Sequence, residues 1–199
     1  MTELIRSLVE FLTSYDALMK RKADSLANET VIEKDVTDTT SPRLLSSQSV
    51  HVKPKLRSVL DIKHTKTLAR GLGYDVVNYE VQKMNGNPLK SGEDLARKLQ
   101  QTVTYLMHKY EPKFLEMAEK LSRLDSISYR FMIAADNLFV DGVCNWGRIA
   151  ALYAFAATIV KHKSCNPDIA RTIAETVGNY VADNLTEWIQ SKGGWVRDI

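Results

Sequence analysis

The chain has 199 residues, 44% of them apolar, with 27 basic and 24 acidic side chains and a net charge of +3. That is length for one ordinary domain with a sizeable core plus an appendage, and the interspersed charges lack the one-sided basic footprint of a nucleic-acid binder, so no nucleic-acid partner is expected. Two cysteines, Cys144 and Cys165, fit a reducing compartment better than a disulfide framework. With no signal peptide, membrane span or repeat in the sequence, a soluble cytoplasmic protein is expected.

Residues 2–22 carry Leu4, Leu8, Phe11, Leu12, Tyr15, Leu18 and Met19 at spacings of three and four, which predicts an amphipathic helix. From Ala23 to Pro54 that periodicity is lost, and the Ser-, Thr- and Asp-rich stretch from Val36 to Ser49 reads as a flexible linker. Residues 1–60 are therefore expected to form an extension and residues 61–199 a bundle. Periodicity returns near Asp61 and runs to Met84, with Leu68, Leu72, Val76, Tyr79 and Met84 on one face, and the Asn85-Gly86-Asn87-Pro88 turn ends it. Ser91 as N-cap, with Asp94 completing a near capping box, opens a helix from Glu93 to Tyr110 whose stripe is Leu95, Leu99, Thr102 or Val103, and Leu106. Pro112 permits a break before a short helix, Phe114 to Leu121, and Ser126 caps another, Ile127 to Phe139.

After the Asp141-Gly142 turn comes NWGRIAALYAFAATIV, residues 145–160. It is almost wholly apolar on every side yet shorter than the roughly 20 residues of a membrane span. It is predicted to be a central helix buried among others, approached closely where Ala150, Ala151, Ala154 and Ala156 leave little volume. Arg148, in its first turn, is a cation that burial would penalise unless paired, so it is expected at the rim, facing a carboxylate. Asn166-Pro167-Asp168 opens the next helix, with Pro at its first position where no hydrogen bond is lost; its face is Ile169, Ile173, Val177, Tyr180 and Val181. Short turns of helix follow at Thr186 to Gln190 and Trp195 to Ile199. No segment alternates with a strand's period, and the class is all-α, eight or so helices around a buried one.

Two strings then carry a resemblance. Asp141-Gly142-Val143-Cys144-Asn145-Trp146-Gly147-Arg148-Ile149 is similar to the first homology motif of the Bcl-2 family of apoptosis regulators, and Trp188-Ile189-Gln190-Ser191-Lys192-Gly193-Gly194-Trp195 resembles its second, in the right order around an apolar helix. Lys109 to Met117 resembles the segment after the third motif, which places that motif on Leu95, Leu99, Thr102 and Leu106. The resemblance covers residues 72–199 and implies a helical bundle with a surface groove that receives the BH3-motif helices of pro-apoptotic Bcl-2 family proteins. It also implies that Arg148 pairs with an Asp of that ligand and that Gly147 lets the ligand backbone come close. The groove is expected to be lined by Tyr110, Phe114, Met117, Leu121, Leu138, Ala151 and Phe155, with Asp141, Asn145, Trp146, Gly147 and Arg148 at its polar end.

The sequence also departs from the family. The third motif's Gly-Asp is missing, the chain reading Leu99-Gln100-Gln101-Thr102-Val103-Thr104-Tyr105. Such a helix is a poor donor to other members' grooves, which favours a pro-survival receptor over the alternative, a pore-forming effector that permeabilises the mitochondrial outer membrane. Val76-Val77-Asn78-Tyr79 is preferred over Val9-Glu10-Phe11-Leu12 as the fourth motif. Leu4, Leu8, Phe11 and Tyr15 have the spacing of a groove ligand, but no Asp follows Phe11 by two residues, and an amphipathic helix packed elsewhere is the favoured reading. Association with the mitochondrial outer membrane is expected if an apolar anchor follows Ile199 in the intact chain. No catalytic site, metal or cofactor is expected: His51, His64, His108 and His162 lack metal spacing, and Cys144 has no nearby His.

Overall fold

The structure is a computed structural model that describes residues 54–87, 92–122 and 126–195, and the side chains of residues 59–120 and 126–195 within those spans. The expected helix at 2–22, the linker and the turn after Trp195 lie outside the described residues. Among the described residues there are seven helices and no strand: α1 Pro54–Met84, α2 Asp94–Lys109, α3 Glu111–Ser122, α4 Ile127–Leu138, α5 Trp146–His162, α6 Pro167–Asn184 and α7 Thr186–Ser191.

The central helix is α5. Every residue from Gly147 to Val160 is buried, because α1, α2, α3 and α6 all pack on it. Tyr153 is accommodated at 0% exposure because its hydroxyl donates to the carbonyl of Ala69 at 3.0 Å, which supplies the partner a buried phenol requires. The helix starts where Asn145 accepts the Arg148 amide on its side chain at 2.7 Å, the expected work of an N-cap. It stops where Ser164 and Cys165 turn into the left-handed region and the Cys165 amide returns to Val160 at 2.9 Å, a Schellman-type end. The next residue, Asn166, caps α6 through the amides of Asp168 and Ile169, with Pro167 at the first position as expected.

The longest seam joins α1 and α6. It is tight because Gly73 and Gly178 face each other: a Cβ on Gly73 would meet the Ala174 carbonyl, and one on Gly178 would lie 2.8 Å from the Arg70 Cα. Along its exposed edge Arg70 reaches Asn179 and Asp183, and Tyr74 donates to Glu175 at 2.9 Å.

Several local expectations need correction. Helix α1 begins at Pro54 rather than near Asp61. Its buried face runs through Thr65, Ala69, Leu72, Gly73, Val76, Val77 and Glu80, whereas Tyr79 is half-buried and Met84 is 51% exposed. Helix α2 starts at Asp94 with Glu93 in the cap position and no side-chain cap; Ser91 lies outside the described residues, and the Asp94 carboxylate pairs with Arg97 and Lys98. Pro112 does not open a gap, since Tyr110 alone separates α2 from α3 and Pro112 sits in the first turn of α3, where its missing N–H is no loss. Ser126 precedes α4, but with a left-handed backbone and no side-chain capping bond.

Candidate functional site

The segment between α4 and α5 folds back over the start of α5. Gly142 takes a positive φ of 71°, a conformation that glycine adopts without strain, and the Val143 amide donates to Asp141 at 3.0 Å. This Asx-type turn delivers Asp141 to Arg148. Arg148 Nη1 donates to Asp141 Oδ1 at 2.6 Å and Nη2 to Oδ2 at 2.7 Å, while Nη1 also reaches the carbonyls of Leu138 and Val143, both at 2.9 Å. The pair is bidentate and charge-assisted. The Arg148 hydrogen bonds, with the Val143 amide bond, hold the Asp141 carboxyl down at about 2.

Arg148 therefore faces a carboxylate, as expected, but the carboxylate belongs to the same chain, and Arg148 is not at the rim: it is 1% exposed. The reason is that the connection carries both a carboxylate and two free carbonyls, enough to satisfy a guanidinium out of water. One donor is left over, since Arg148 Nε is buried with no hydrogen-bond partner.

Arg148, Ala151 and Phe155 follow one another at three and four residues and share a face of α5. On that face the Phe155 ring stacks on Phe131 of α4 at 5.6 Å and on Phe114 of α3 at 6.5 Å. The structure brings Phe114 and Phe155 together as expected. It does so as packed interior, because Phe114, Met117, Leu138, Ala151 and Phe155 are all 4% exposed or less. An open groove at these residues is thus corrected to a closed apolar seam. Burial is the reason: aromatic rings left in water would forfeit the favourable transfer that their mutual packing secures. Tyr110, at the α2–α3 junction, stays half-buried beneath Lys109, whose ammonium lies 5.2 Å from its ring. The Leu121 side chain lies outside the described residues.

Trp146 is half-buried. It packs edge-on against Trp188 at 5.1 Å and against Trp195 at 5.7 Å, while Trp195 donates its indole N–H to the Thr65 carbonyl at 3.0 Å. The two tryptophans of the second string, together with Trp146 of the first, thus tie the start of α5 to α7 and α1. Gly147 is buried in the same region. Exposed apolar side chains flank the ion pair, Val140 at 77% and Val143 at 47%, and others stand on α3 and α4, Leu115 at 40% and Met132 at 47%. Phe131 is not among the residues the sequence singles out; its spacing with Ala134, Ala135 and Leu138 marks it as inward-facing, but nothing in the sequence says which ring it meets.

The remaining chemistry is sparse. Burial pushes the Cys144 thiol up to about 12, against the opposing fields of Arg148 and Lys192, so it is protonated and a poor nucleophile at neutral pH. Among the described residues no group of three or more His, Cys, Asp or Glu is placed to hold a metal, and no helix is long and apolar enough to cross a membrane.

Residues 99–195 match the family model for apoptosis regulator proteins of the Bcl-2 family. The apoptosis regulator BAX of Mus musculus is 37% identical over 86 residues, 41% of this chain and 44% of that protein, so the chain spans under half the length of this curated relative. Bcl-2-related protein A1 of Bos taurus is 27% identical over 135 residues, 63% of this chain and 74% of that protein. In fold, the zebrafish pro-survival protein NRZ, solved in complex with Bad BH3, superposes with a TM-score of 0.58 at 17% identity over 67% of this chain and 94% of that one.

Proposed function

We propose, for a chain that carries a Bcl-2 family domain, that it regulates apoptosis as a pro-survival protein by binding the BH3 helices of pro-apoptotic relatives along the seam between α3, α4 and α5. The observation that carries this reading is the guanidinium of Arg148, which retains an unbonded Nε donor on the same helical face as Ala151 and Phe155. An amphipathic helix needs both things there: apolar anchors at helical spacing and a fixed polar contact. The ligand would part α3 from α4, seat its apolar residues against Phe114, Met117, Leu138 and Phe155, and offer a carboxylate to Arg148. Asp141, with its side chain 38% exposed, would then share the guanidinium or turn outward to water. The NRZ–Bad BH3 complex, a relative in fold, supports the mode of binding. Residues 1–60 are proposed as an extension, its last residues from Pro54 onward running into α1.

Since Arg148 also secures the α4–α5 connection, the polar contact is best tested on the ligand. Calorimetric titration of a Bad BH3 peptide into the full chain should give saturable binding, and replacing the peptide Asp proposed to meet Arg148 with Asn should weaken it about tenfold or more, roughly 1.4 kcal/mol. Absence of binding, or indifference to that Asn, counts against the reading.

A pore-forming role is the second reading, favoured by the unbroken buried run of residues 149–157, which carries no charge. Release of dye from liposomes by the activated full chain, with no peptide binding, would put it first.

A further inference from the structure

Helix α1 runs on past the end of the bundle it packs into. Its buried row, Val76, Leu72, Ala69 and Thr65, steps back toward the start of the helix at spacings of four and three, and Ile62 is the next position in that row. Yet Thr65 is 2% exposed whereas Ile62 is 41% exposed. The last ties to the bundle are made here: Gln190 of α7 donates to the Asp61 carbonyl at 3.0 Å and to the Thr65 hydroxyl oxygen, and Trp195 donates to the Thr65 carbonyl at 3.0 Å. From Pro54 to His64 the helix rises about 16 Å ahead of Thr65. Every side chain from Val59 to His64 is exposed, Val59 at 56% and Leu60 at 54%.

Helices in proteins are held chiefly by packing an apolar face rather than by propensity, and Val59 and Ile62, three residues apart, form such a face without a cover. Its surroundings are basic. Residues 54–66 carry Lys55, Arg57, Lys63 and Lys66 against Asp61, four cations to one anion and a net side-chain charge of +3, with Lys66 also facing Asp183 at 3.4 Å. The first stretch of the same chain is the complement. Residues 2–19 place Leu4, Leu8, Phe11 and Tyr15 on one helical face, and carry Glu3, Glu10 and Asp16 against Arg6, a net of −2. Glu3 and Glu10, seven residues apart, fall on one edge of that face. The intervening 34 residues, 20–53, span about 30–35 Å as a flexible chain, and residues 2–19 as a helix are about 27 Å long. The stretch therefore reaches the start of α1 in either direction, at an effective concentration on the order of millimolar.

We propose that the exposed start of α1 is the docking surface for the chain's own residues 2–19, their apolar face covering Val59 and Ile62 and their carboxylates set toward its cations. The apolar burial supplies the attraction and the opposite charges the choice of segment. Docked there, the amphipathic stretch is held on α1 rather than in the seam between α3, α4 and α5. The assignment does not depend on the proposed BH3 binding.

The test is NMR of the full chain, reading methyl and ring protons. NOEs should join the ring of Phe11 or Tyr15 to the methyls of Val59 or Ile62, and should be absent between labelled and unlabelled copies in a mixture. Leu8→Asp with Phe11→Asp should abolish them and shift the Val59 and Ile62 methyls, while those of Ala154 and Ile173 in the core stay in place. Val59→Asp with Ile62→Asp should speed amide hydrogen exchange across residues 8–15 about tenfold or more. High salt, about 1 M, should weaken the contact by screening its charges. Should the α1 variant fail to give a folded spectrum, the Leu8 and Phe11 variant carries the test. NOEs from Phe11 to Met117 or Met132, from Val196 or Ile199 to Ile62, or between separate copies would each overturn the assignment, as would Val59 and Ile62 methyls that ignore the Leu8 and Phe11 substitutions.

Discussion

Arg148 shows how a charge is kept inside an apolar bundle. Its partner lies seven residues upstream, and only a turn that reverses the chain can bring the two together; Asp141-Gly142 is that turn. Asp141→Asn removes the anion and leaves the guanidinium buried with carbonyls for company, and should cost about 2–4 kcal/mol of stability in chemical denaturation. The pair also writes a pH dependence. The folded carboxyl is held at about 2, below the roughly 3.9 of an unfolded Asp, so its contribution is fully present above about pH 4 and is lost as the pH falls through about 2. Denaturation midpoints between pH 5 and pH 2.5 should therefore fall more steeply for the natural chain than for Asp141→Asn. Parallel curves would mean that the pair contributes little. The sequence demanded a carboxylate for Arg148 and included Asp141 in the site. It could not show that one satisfies the other, because the hydrogen bonds that close the turn are three-dimensional facts.

Helix by helix, what was legible depended on whether the signal was local. The centre of the bundle was legible because an unbroken apolar run has one comfortable place in a helical bundle, and Asn166 announces its helix through a cap that depends only on the next three residues; the Asn145 cap was not singled out in the sequence. Asn166→Ala should accordingly cost about 1 kcal/mol. The start of α1 was obscured by a polar lead-in without periodicity. The inward face of the same helix was misread toward Tyr79 and Met84, because close helix contact there depends on glycine rather than on large apolar residues. At Gly73 the missing Cβ is what lets α1 lie against Ala174 and Gly178. Gly73→Ala gains helix propensity yet forces two backbones apart, so a net loss of about 1–3 kcal/mol is expected, read as a lower thermal midpoint. An unchanged midpoint would show that the seam can relax.

For the molecule as a whole, the fold class and the two sequence strings were legible, and the state of the groove was not. Apolar residues at helical spacing look the same whether they line a cleft or fill a core, and here Phe114, Met117, Leu138 and Phe155 have closed on one another. A binding helix must open that seam, so association should be slower than encounter between preformed surfaces. The partly exposed Val140 and Val143 beside the ion pair are where such a helix could first dock. The most direct measurement is methyl NMR of the full chain during titration with a Bad BH3 peptide. The account predicts that the methyl signals of Met117, Leu138 and Ala151 move together and saturate with the peptide, while those of Ala69 and Ile173 under the α1–α6 seam stay in place. Movement confined to α1 and α6, or no movement at all, would contradict it.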